Sequence, residues 1–212
     1  MTTLILVRHG QSTANQTNTF TGQSQAPLTE QGRKQAQLAA RALAGTRLDA
    51  AYCSDLLRAK ETGTIIAGSQ GLPITEDTAL REIQAGLWEN RTFAEIIREF
   101  PEEYRVWHED IGRSRCPGGE SVAELQQRVL AAVERIARQN DGKTVLIATH
   151  ATPIRSLLCF WHGFGLERMH EIPWPGNASL TSVTYENGTF RLIRENDCSP
   201  LGALHTELDK SI

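Results

Sequence analysis

Two short apolar runs, each of which ends in a histidine, constrain the fold of this chain more than any other feature. Residues 4–9 read Leu-Ile-Leu-Val-Arg-His and residues 145–150 read Val-Leu-Ile-Ala-Thr-His. The apolar residues are consecutive rather than alternating, which is typical of strands covered on both faces in a largely parallel sheet. Ligands of open α/β sheets bind beyond the carboxyl ends of the strands, so His9 and His150 are predicted to lie at the ligand-binding edge.

Two helices between these runs have readable ends. Thr29 is a suitable N-cap for a helix that extends to Leu43, and Gly45 follows its predicted end. Ser121 and Glu124 form a capping-box pattern. Apolar residues follow that box at three- and four-residue steps, which predicts a long helix with one core-facing stripe.

Two further helix starts are predicted just after strands. Ser54 can begin a helix that carries Arg58. Thr152 is a suitable N-cap directly after His150, with Pro153 at the first helical position. Both helices would therefore begin at the edge of the sheet that carries the two histidines.

The C-terminal part of the chain predicts a hairpin. Residues 180–185 and 189–193 flank Asn187-Gly188, a dipeptide that favours a tight antiparallel turn. Strands alternating with helices indicate an α/β fold, a three-layer sandwich whose mostly parallel mixed sheet has helices on both faces and antiparallel strands near the C-terminal edge. No linker or repeat divides the chain, so we predict one domain over residues 1–212, with residues 80–121 as a helical lid insertion.

The charge balance excludes several classes of partner. Lys and Arg total 22 against 25 Asp and Glu, a formal net charge of -3, so no global basic field attracts nucleic acid or acidic membranes. No apolar run approaches the ~20 residues that cross a bilayer, and no secretory leader pattern is present. The four cysteines form no Cys-x-x-Cys pair and are expected to be reduced. We expect a cytoplasmic protein that binds neither nucleic acid nor membranes.

The residues around His9 suit an anion. Arg8 precedes it, and the loop from Gly10 to Asn15 supplies a flexible glycine, hydroxyls and an amide. A guanidinium offers a planar fork of donors that matches phosphate or carboxylate oxygens in pairs. An Arg-His-Gly tripeptide alone is weak evidence, because a single histidine at a strand end is more often a structural hydrogen-bonding residue than a catalyst.

Residue type leaves other roles open as well. Arg58 could be an ordinary helix-surface arginine, and Asn15 could be a turn residue. A carboxylate beside an anion site could come from any of four acidic residues, each of which is otherwise a solvated surface group. These residues are Glu61, Asp77, Glu82 and Glu89.

Six segments carry a pattern that extends over nearly the whole chain. They are residues 6–12 with Asn15, Gly22 with residues 27–32, and residues 54–62, 80–82, 117–121 and 149–150. In this order they resemble the motifs of the histidine phosphatase superfamily, the phosphoglycerate-mutase-like proteins. Several motifs in the right order are far more specific than any one of them.

The resemblance implies phosphoryl transfer through a phosphohistidine. His9 would be the nucleophile, and Glu82 would donate a proton to the leaving group. The residues that would bind the phosphate are Arg8, Arg58 and His150, with Asn15 and Ala151 beside them. Fixed arginine and histidine donors can neutralise phosphoryl charge, so neither a metal nor a cofactor is expected. The remaining histidines, which show no metal-ligand spacing, are His108, His162, His170 and His205.

Within the family, residues 86–89, Gly-Leu-Trp-Glu, are similar to the phosphatase branch. We therefore expect a phosphomonoester hydrolase that acts on small phosphorylated metabolites. A cofactor-dependent phosphoglycerate mutase is the alternative, because Arg113 and Arg115 could reach inward to hold a second phosphate. A non-catalytic phosphate-binding module is a third hypothesis. Ala151 replaces a glycine that is usual in the family, and its Cβ restricts the approach of the backbone to the phosphate.

Two further expectations concern the aromatic residues of the insertion and the surfaces that could form a dimer. Five aromatic residues of the insertion either partly line the lid or form a small core within the insertion. They are Trp88, Phe93, Phe100, Tyr104 and Trp107. The hairpin edge and residues 161–174 are candidate surfaces for a homodimer.

Overall fold

The computed structural model describes residues 1–206. Its strands are Thr2–Arg8 (β1), Thr19–Phe20 (β2), Ala50–Cys53 (β3), Thr75–Glu76 (β4), Arg91–Thr92 (β5), Thr144–Thr149 (β6), Leu180–Glu186 (β7) and Thr189–Asp197 (β8). Its α-helices are Thr13–Gln16 (α1), Glu30–Ala42 (α2), Leu57–Gly68 (α3), Phe93–Glu99 (α4), Pro101–Glu109 (α5), Val122–Gln139 (α6) and Ala151–Trp161 (α7).

The central sheet is mixed, as predicted. Its strand order is β4-β3-β6-β1-β7-β8. The first four strands in this order are parallel, whereas β7 and β8 are antiparallel to their neighbours. The turn residues Asn187 and Gly188 have φ values of 50° and 82°, the left-handed conformation that the hairpin prediction requires. The strands β2 and β5 form a second, two-stranded sheet.

Helices cover both faces of the central sheet, which confirms the three-layer sandwich. Leu4 and Leu6 of β1 belong to a core cluster with residues of α6 and α7. Ile5 and Val7 point to the other face and belong to a second cluster with α2 and α3. The consecutive apolar residues of β1 are therefore buried on both sides.

The insertion at residues 80–121 packs on the face that α6 and α7 cover. It contains the helices α4 and α5, and Trp88, Tyr104 and Trp107 are buried in the larger core cluster. Trp88 is fully buried, so for this residue the core interpretation is correct. The lid role of the insertion and the single-domain assignment stay predictions.

Two predicted helix ends are confirmed. The Thr29 side chain accepts a hydrogen bond from the N–H of Gly32 at the start of α2. Ser121 and Glu124 form a reciprocal capping box at the start of α6. Both caps involve residues three positions apart, so local sequence is sufficient to predict them.

The other two predicted helix starts are wrong. The helix α7 begins at Ala151 with His150 as its cap residue, and α3 begins after Leu56 rather than at Ser54. The N–H of Ser54 still pairs with the carbonyl of Ala148 in β6, so the chain has not left the sheet at that residue. At α7, the N–H of Thr152 is 3.4 Å from the carboxylate of Glu82, which is distant in the sequence.

Within residues 1–206, every helix is too short or too polar to span a membrane. The cysteines of this part of the chain form no disulfide.

Candidate active site

The two histidines that end the apolar strands lie side by side. β1 and β6 are parallel neighbours, and Arg8 is paired with Thr149, so the next residues of both strands leave the sheet together. The ring centroids of His9 and His150 are 5.3 Å apart with an interplanar angle of 61°. Both rings are buried. The expected juxtaposition at one edge of the sheet is therefore present.

His9 is held as a neutral imidazole with a defined tautomer. Its Nδ1 is 2.7 Å from the carbonyl oxygen of Gly10. A carbonyl oxygen only accepts, so Nδ1 carries the hydrogen and Nε2 keeps its lone pair. Burial, followed by the charges of Arg58 and Arg8, lowers the pKa of His9 well below 6.5. Nε2 thus has an unprotonated lone pair at neutral pH, which is what a nitrogen nucleophile requires.

The backbone beside this imidazole is fixed from several sides. The N–H of Gly10 donates to Thr62 Oγ1 in α3 at 3.0 Å, and Asn177 Nδ2 donates to the His9 carbonyl at 3.1 Å. A Cβ at Gly10 would lie 2.3 Å from the carbonyl oxygen of Gly32 in α2. Glycine therefore allows the loop to lie directly against the first turn of α2.

Two buried guanidiniums accompany the histidines. Arg8 Nη1 donates to the carbonyl of Pro175 at 2.5 Å, and Arg58 donates to the carbonyls of Ser24 and Gly22 at 3.0 and 2.7 Å. Burial lowers the pKa of each arginine to about 10, so both stay charged at neutral pH. Within residues 1–206 neither guanidinium forms an ion pair with a carboxylate, although the charge of Glu82 acts on both at longer range. Their charge is therefore available to an anion.

His150 lies directly beside His9, but it is fully buried and does not line the cavity that His9, Arg8 and Arg58 share. Its Nε2 is 2.8 Å from Ser54 Oγ, and that oxygen also accepts a hydrogen bond from the N–H of Leu56 at 3.3 Å. Among residues 1–206 this buried hydroxyl has no other hydrogen-bond acceptor, so its hydrogen is directed to His150 Nε2. Burial and the charge of Arg58 lower the pKa of His150 well below 6.5. A neutral ring that accepts at Nε2 carries its hydrogen on Nδ1, an atom that is buried without a hydrogen-bond partner in the described chain.

We expect Ser54→Ala to lower kcat/KM for 4-nitrophenyl phosphate about tenfold. Without the hydroxyl, Nε2 can take the ring hydrogen, and Nδ1 then presents a lone pair to the anionic substrate. The inhibition constant of inorganic phosphate should rise by a similar factor. The matched control is Ser156→Ala, which removes another buried hydroxyl, bonded to the Pro153 carbonyl within α7. Equal losses in both variants would contradict a role for Ser54 at the site.

Of the four candidate carboxylates, Glu82 is the one that lines the cavity with His9, Arg8 and Arg58. Its oxygens accept from the N–H groups of Ile83 at 2.9 Å and Thr152 at 3.4 Å. The other three carboxylates have partners outside this cavity. Glu61 is bonded to Arg33, Asp77 to Arg135, and Glu89 to Gln23 and Ser24.

The segment that carries Glu82 is held by Arg128 of α6. The guanidinium of Arg128 donates to the carbonyls of Ala79 and Arg81 at 2.8 and 3.1 Å. It also forms a bidentate ion pair with Glu120, with distances of 2.9 and 2.8 Å. Arg128, which Glu120 orients, therefore holds the backbone on which Glu82 lies, and no motif in the sequence indicated this role for either residue.

Asn15 and Ala151 also line the cavity. Asn15 Oδ1 accepts from the N–H of Ser12 at 2.9 Å and completes a capping box at the start of α1. Ala151 is the first residue of α7, so its backbone lies at a helix N-terminus, where N–H groups favour anions. The roles of both residues in phosphate binding stay predictions.

The predicted inward reach of Arg113 and Arg115 is wrong. Both side chains are exposed, and they pair with Asp110 and Glu124 respectively. Neither lines the cavity. Among residues 1–206, Arg8 and Arg58 are the arginines that do so, and no lysine joins them.

Part of the cavity wall was not predictable from the sequence. Phe93 and Trp107 line the cavity, in agreement with the interpretation that aromatic residues of the insertion partly line the lid. Phe100 and Tyr104 do not line it. Phe20 and Trp174 line it as well. Phe20 arrives through the pairing of β2 with β5, and Trp174 lies in an irregular segment before β7, so no periodic pattern indicated either residue.

Comparisons with known proteins agree with this geometry. Residues 4–198 match the family model described as histidine phosphatase superfamily, branch 1. The chain belongs to this superfamily. Phosphoserine phosphatase 1 of Hydrogenobacter thermophilus is 31% identical over 212 residues, 100% of each chain. The solved structure of Bacillus stearothermophilus YhfR superposes with a TM-score of 0.91 at 34% identity, covering 95% of this chain and 100% of that one.

A mutase is also among the relatives. The 2,3-bisphosphoglycerate-dependent phosphoglycerate mutase 2 of Gloeobacter violaceus is 36% identical over 204 residues, 93% of each chain.

Family membership and the phosphatase-named relatives make this protein an enzyme of the phosphatase class. Within residues 1–206, no group of three or more histidine, cysteine or carboxylate side chains is arranged to hold a metal ion.

The two buried histidines predict a pH-dependent stability. Their pKa values are well below 6.5 in the folded state, whereas the unfolded chain protonates histidine near 6.5. As the pH falls below that value, the unfolded state binds more protons than the folded state. The free energy of unfolding therefore decreases by up to about 1.4 kcal/mol per pH unit for each histidine. Urea unfolding at about pH 7 and pH 5 measures this loss. His150→Asn should lose less stability over the same range, and an equal loss would contradict the prediction.

Proposed function

We propose that this enzyme is a metal-independent phosphomonoester hydrolase that acts on small phosphorylated metabolites through a phosphohistidine at His9. The observation that carries the proposal is the neutral Nε2 of His9 beside two buried guanidiniums without carboxylate partners. Phosphoryl transfer requires an in-line nucleophile and fixed positive charge around the equatorial oxygens. Arg8, Arg58 and the Nδ1–H of His150 would supply those donors.

The first step would form an N–P bond and break the ester P–O bond. The lone pair of His9 Nε2 attacks phosphorus, and the bonding electrons leave with the alcohol oxygen. Glu82, in its protonated form, gives that oxygen a proton, so the products are a neutral alcohol and phosphohistidine. The position of Glu82 in the cavity supports this role.

The second step would return the enzyme to its starting state. Water attacks the phosphorus, the N–P bond breaks with its electrons returning to Nε2, and the ionised Glu82 takes the proton of the water. Phosphate is released, His9 is neutral and Glu82 is protonated again. The same carboxyl therefore acts first as general acid and then as general base.

The number of positively charged side chains that line the cavity favours a hydrolase over a mutase. A mutase must retain a bisphosphate, and each phosphate calls for its own positive groups. The lining arginines, Arg8 and Arg58, converge on one phosphate, while Arg113 and Arg115 are neutralised outside the cavity. Mutase activity is the second candidate because a mutase-named relative is 36% identical.

The proposal is tested by phosphate release from 4-nitrophenyl phosphate in excess EDTA. We expect full activity under chelation, and loss of activity would contradict metal independence. With 3-phosphoglycerate and 2,3-bisphosphoglycerate, release of free phosphate supports a hydrolase, whereas formation of 2-phosphoglycerate supports a mutase. Tight phosphate binding without turnover would instead indicate a binding module.

We also propose that the enzyme lies in the cytoplasm, because the buried thiols of Cys53, Cys116 and Cys159 suit a reducing compartment.

A further inference from the structure

Four aromatic side chains form one continuous surface beside the proposed phosphate site. Phe20 contacts Phe93 and Trp107, with ring centroids 5.6 and 5.1 Å apart, and Trp107 stacks on Trp174 at 6.3 Å. All four line the cavity that contains His9. We call Phe20, Phe93, Trp107 and Trp174 the aromatic wall. It is assembled from β2, α4, α5 and the segment before β7.

The wall is held in place before any substrate binds. Phe20 and Trp107 are buried, and Phe20 is fixed by the pairing of β2 with β5. The guanidinium of Arg155 lies over the Trp174 ring, 4.2 Å from its centroid, and donates to the carbonyl of Ile172 at 2.6 Å. Arg155 therefore packs on Trp174 without lining the cavity. A rigid aromatic surface binds flat apolar groups at a low entropic cost.

The charged groups of the cavity are concentrated at its phosphate end. Apart from Arg8, Arg58, His9 and Glu82, the lining side chains carry no ionisable group. The polar ones among them are Asn15, Asn18, Thr19, Thr21 and Thr152. A second acidic group on the substrate would thus find no cation of its own among the lining residues.

Cations elsewhere in the insertion do not change this conclusion. Arg91 pairs with Glu99, and Arg105 pairs with Glu102 and Glu109 on the outer surface. These ion pairs neutralise the side chains away from the cavity. An acidic leaving group would therefore lose its hydration without gaining a partner, which is costly.

We infer that the aromatic wall binds the leaving alcohol, and that the preferred substrates are phosphate monoesters of uncharged alcohols with an aromatic ring or a broad apolar group. This inference rests on the proposed hydrolase function and specifies its substrate class. The phosphate end supplies the chemistry, and the wall selects the alcohol by burying its apolar surface. Esters that carry a carboxylate, such as phosphoserine and 3-phosphoglycerate, are disfavoured.

The first experiment compares primary alkyl esters, so that differences in leaving-group reactivity stay small. We expect kcat/KM for 2-phenylethyl phosphate to exceed that for 3-phosphoglycerate and for phosphoserine at least about tenfold. Ethyl phosphate, which lacks the ring, should lie at least about tenfold below 2-phenylethyl phosphate as well. Equal or reversed values for the carboxylate-bearing esters would overturn the inference.

Variants of the wall test its residues directly. Trp174→Leu and Phe93→Leu change half-buried side chains, and each should lower kcat/KM for 2-phenylethyl phosphate about fivefold or more while changing the value for ethyl phosphate less than about twofold. The matched control is Phe190→Leu, since Phe190 packs on Trp161 and Tyr185 away from the cavity. Equal losses for both esters in the wall variants would contradict a role in selecting the alcohol.

A binding experiment separates this inference from the proposed function. In His9→Ala, which lacks the nucleophile, quenching of tryptophan fluorescence reports ligand binding at the wall. The Kd of 2-phenylethyl phosphate should be at least about tenfold lower than that of 3-phosphoglycerate. If the wild-type protein hydrolyses no ester but this order of affinities holds, the hydrolase proposal fails and the aromatic site stands. If esters are hydrolysed but the affinities are equal, the aromatic site fails alone.

Discussion

Replacement of His9 by alanine is expected to lower kcat at least about 10⁴-fold and to abolish phosphoenzyme formation. The reason is chemical, because alanine provides no nitrogen that can form the N–P bond. The neighbouring His150 does not substitute, since its Nε2 accepts the hydroxyl hydrogen of Ser54 and its Nδ1 carries a hydrogen. Rapid quenching with a ³²P-labelled ester measures both quantities: turnover, and acid-labile label retained on the protein.

The matched control for this variant is His162→Ala. His162 lies at the other end of α7 from His150 and pairs with Glu195, so its removal should leave turnover and labelling unchanged. Thermal unfolding of both variants verifies that they fold. Label retained on His9→Ala, or turnover within about tenfold of the wild type, would refute the assignment of His9 as nucleophile.

Replacement of Glu82 by glutamine is expected to have a large effect that depends on the leaving group. For 2-phenylethyl phosphate, whose alkoxide needs a proton, kcat/KM should fall about 10²–10³-fold. For 4-nitrophenyl phosphate the loss should be less than about fivefold, because nitrophenolate leaves without protonation. Glutamine retains one oxygen, which can accept the 2.9 Å hydrogen bond from the N–H of Ile83, whereas the longer 3.4 Å contact with the N–H of Thr152 is lost. The local structure should therefore persist while the proton is lost.

Glu61→Gln is the control for the loss of one carboxylate. Glu61 pairs with Arg33 away from the cavity, so neither ester should be affected. The ratio of the two esters in Glu82→Gln is the decisive quantity. Equal losses for both would show that Glu82 positions the substrate instead of transferring a proton. A loss confined to the alkyl ester identifies the general acid.

Features that depend on neighbouring residues were predictable from the sequence. The Thr29 cap, the capping box of Ser121 with Glu124, and the Asn187-Gly188 turn are all present. Each depends on groups within a few positions of one another, so the local pattern contains the required information. The helix starts at Ser54 and Thr152 were predicted wrongly because their hydrogen-bond partners, His150 and Glu82, are remote in the chain.

The sequence by itself indicated that His9 and His150 would lie at one edge of the sheet, since strands buried on both faces are typical of parallel sheets and the carboxyl ends of parallel strands share one edge. The structure decided that these two strands are direct neighbours. Motif order likewise singled out Arg8 and Arg58. Residue type left four carboxylates open, and the motif resemblance named Glu82, which the structure places in the cavity. The tertiary structure alone decided that Arg113 and Arg115 stay outside the cavity and that Phe20 and Trp174 complete its wall. Periodicity specifies which face of an element is buried, whereas the contacts between irregular segments depend on how the whole chain packs.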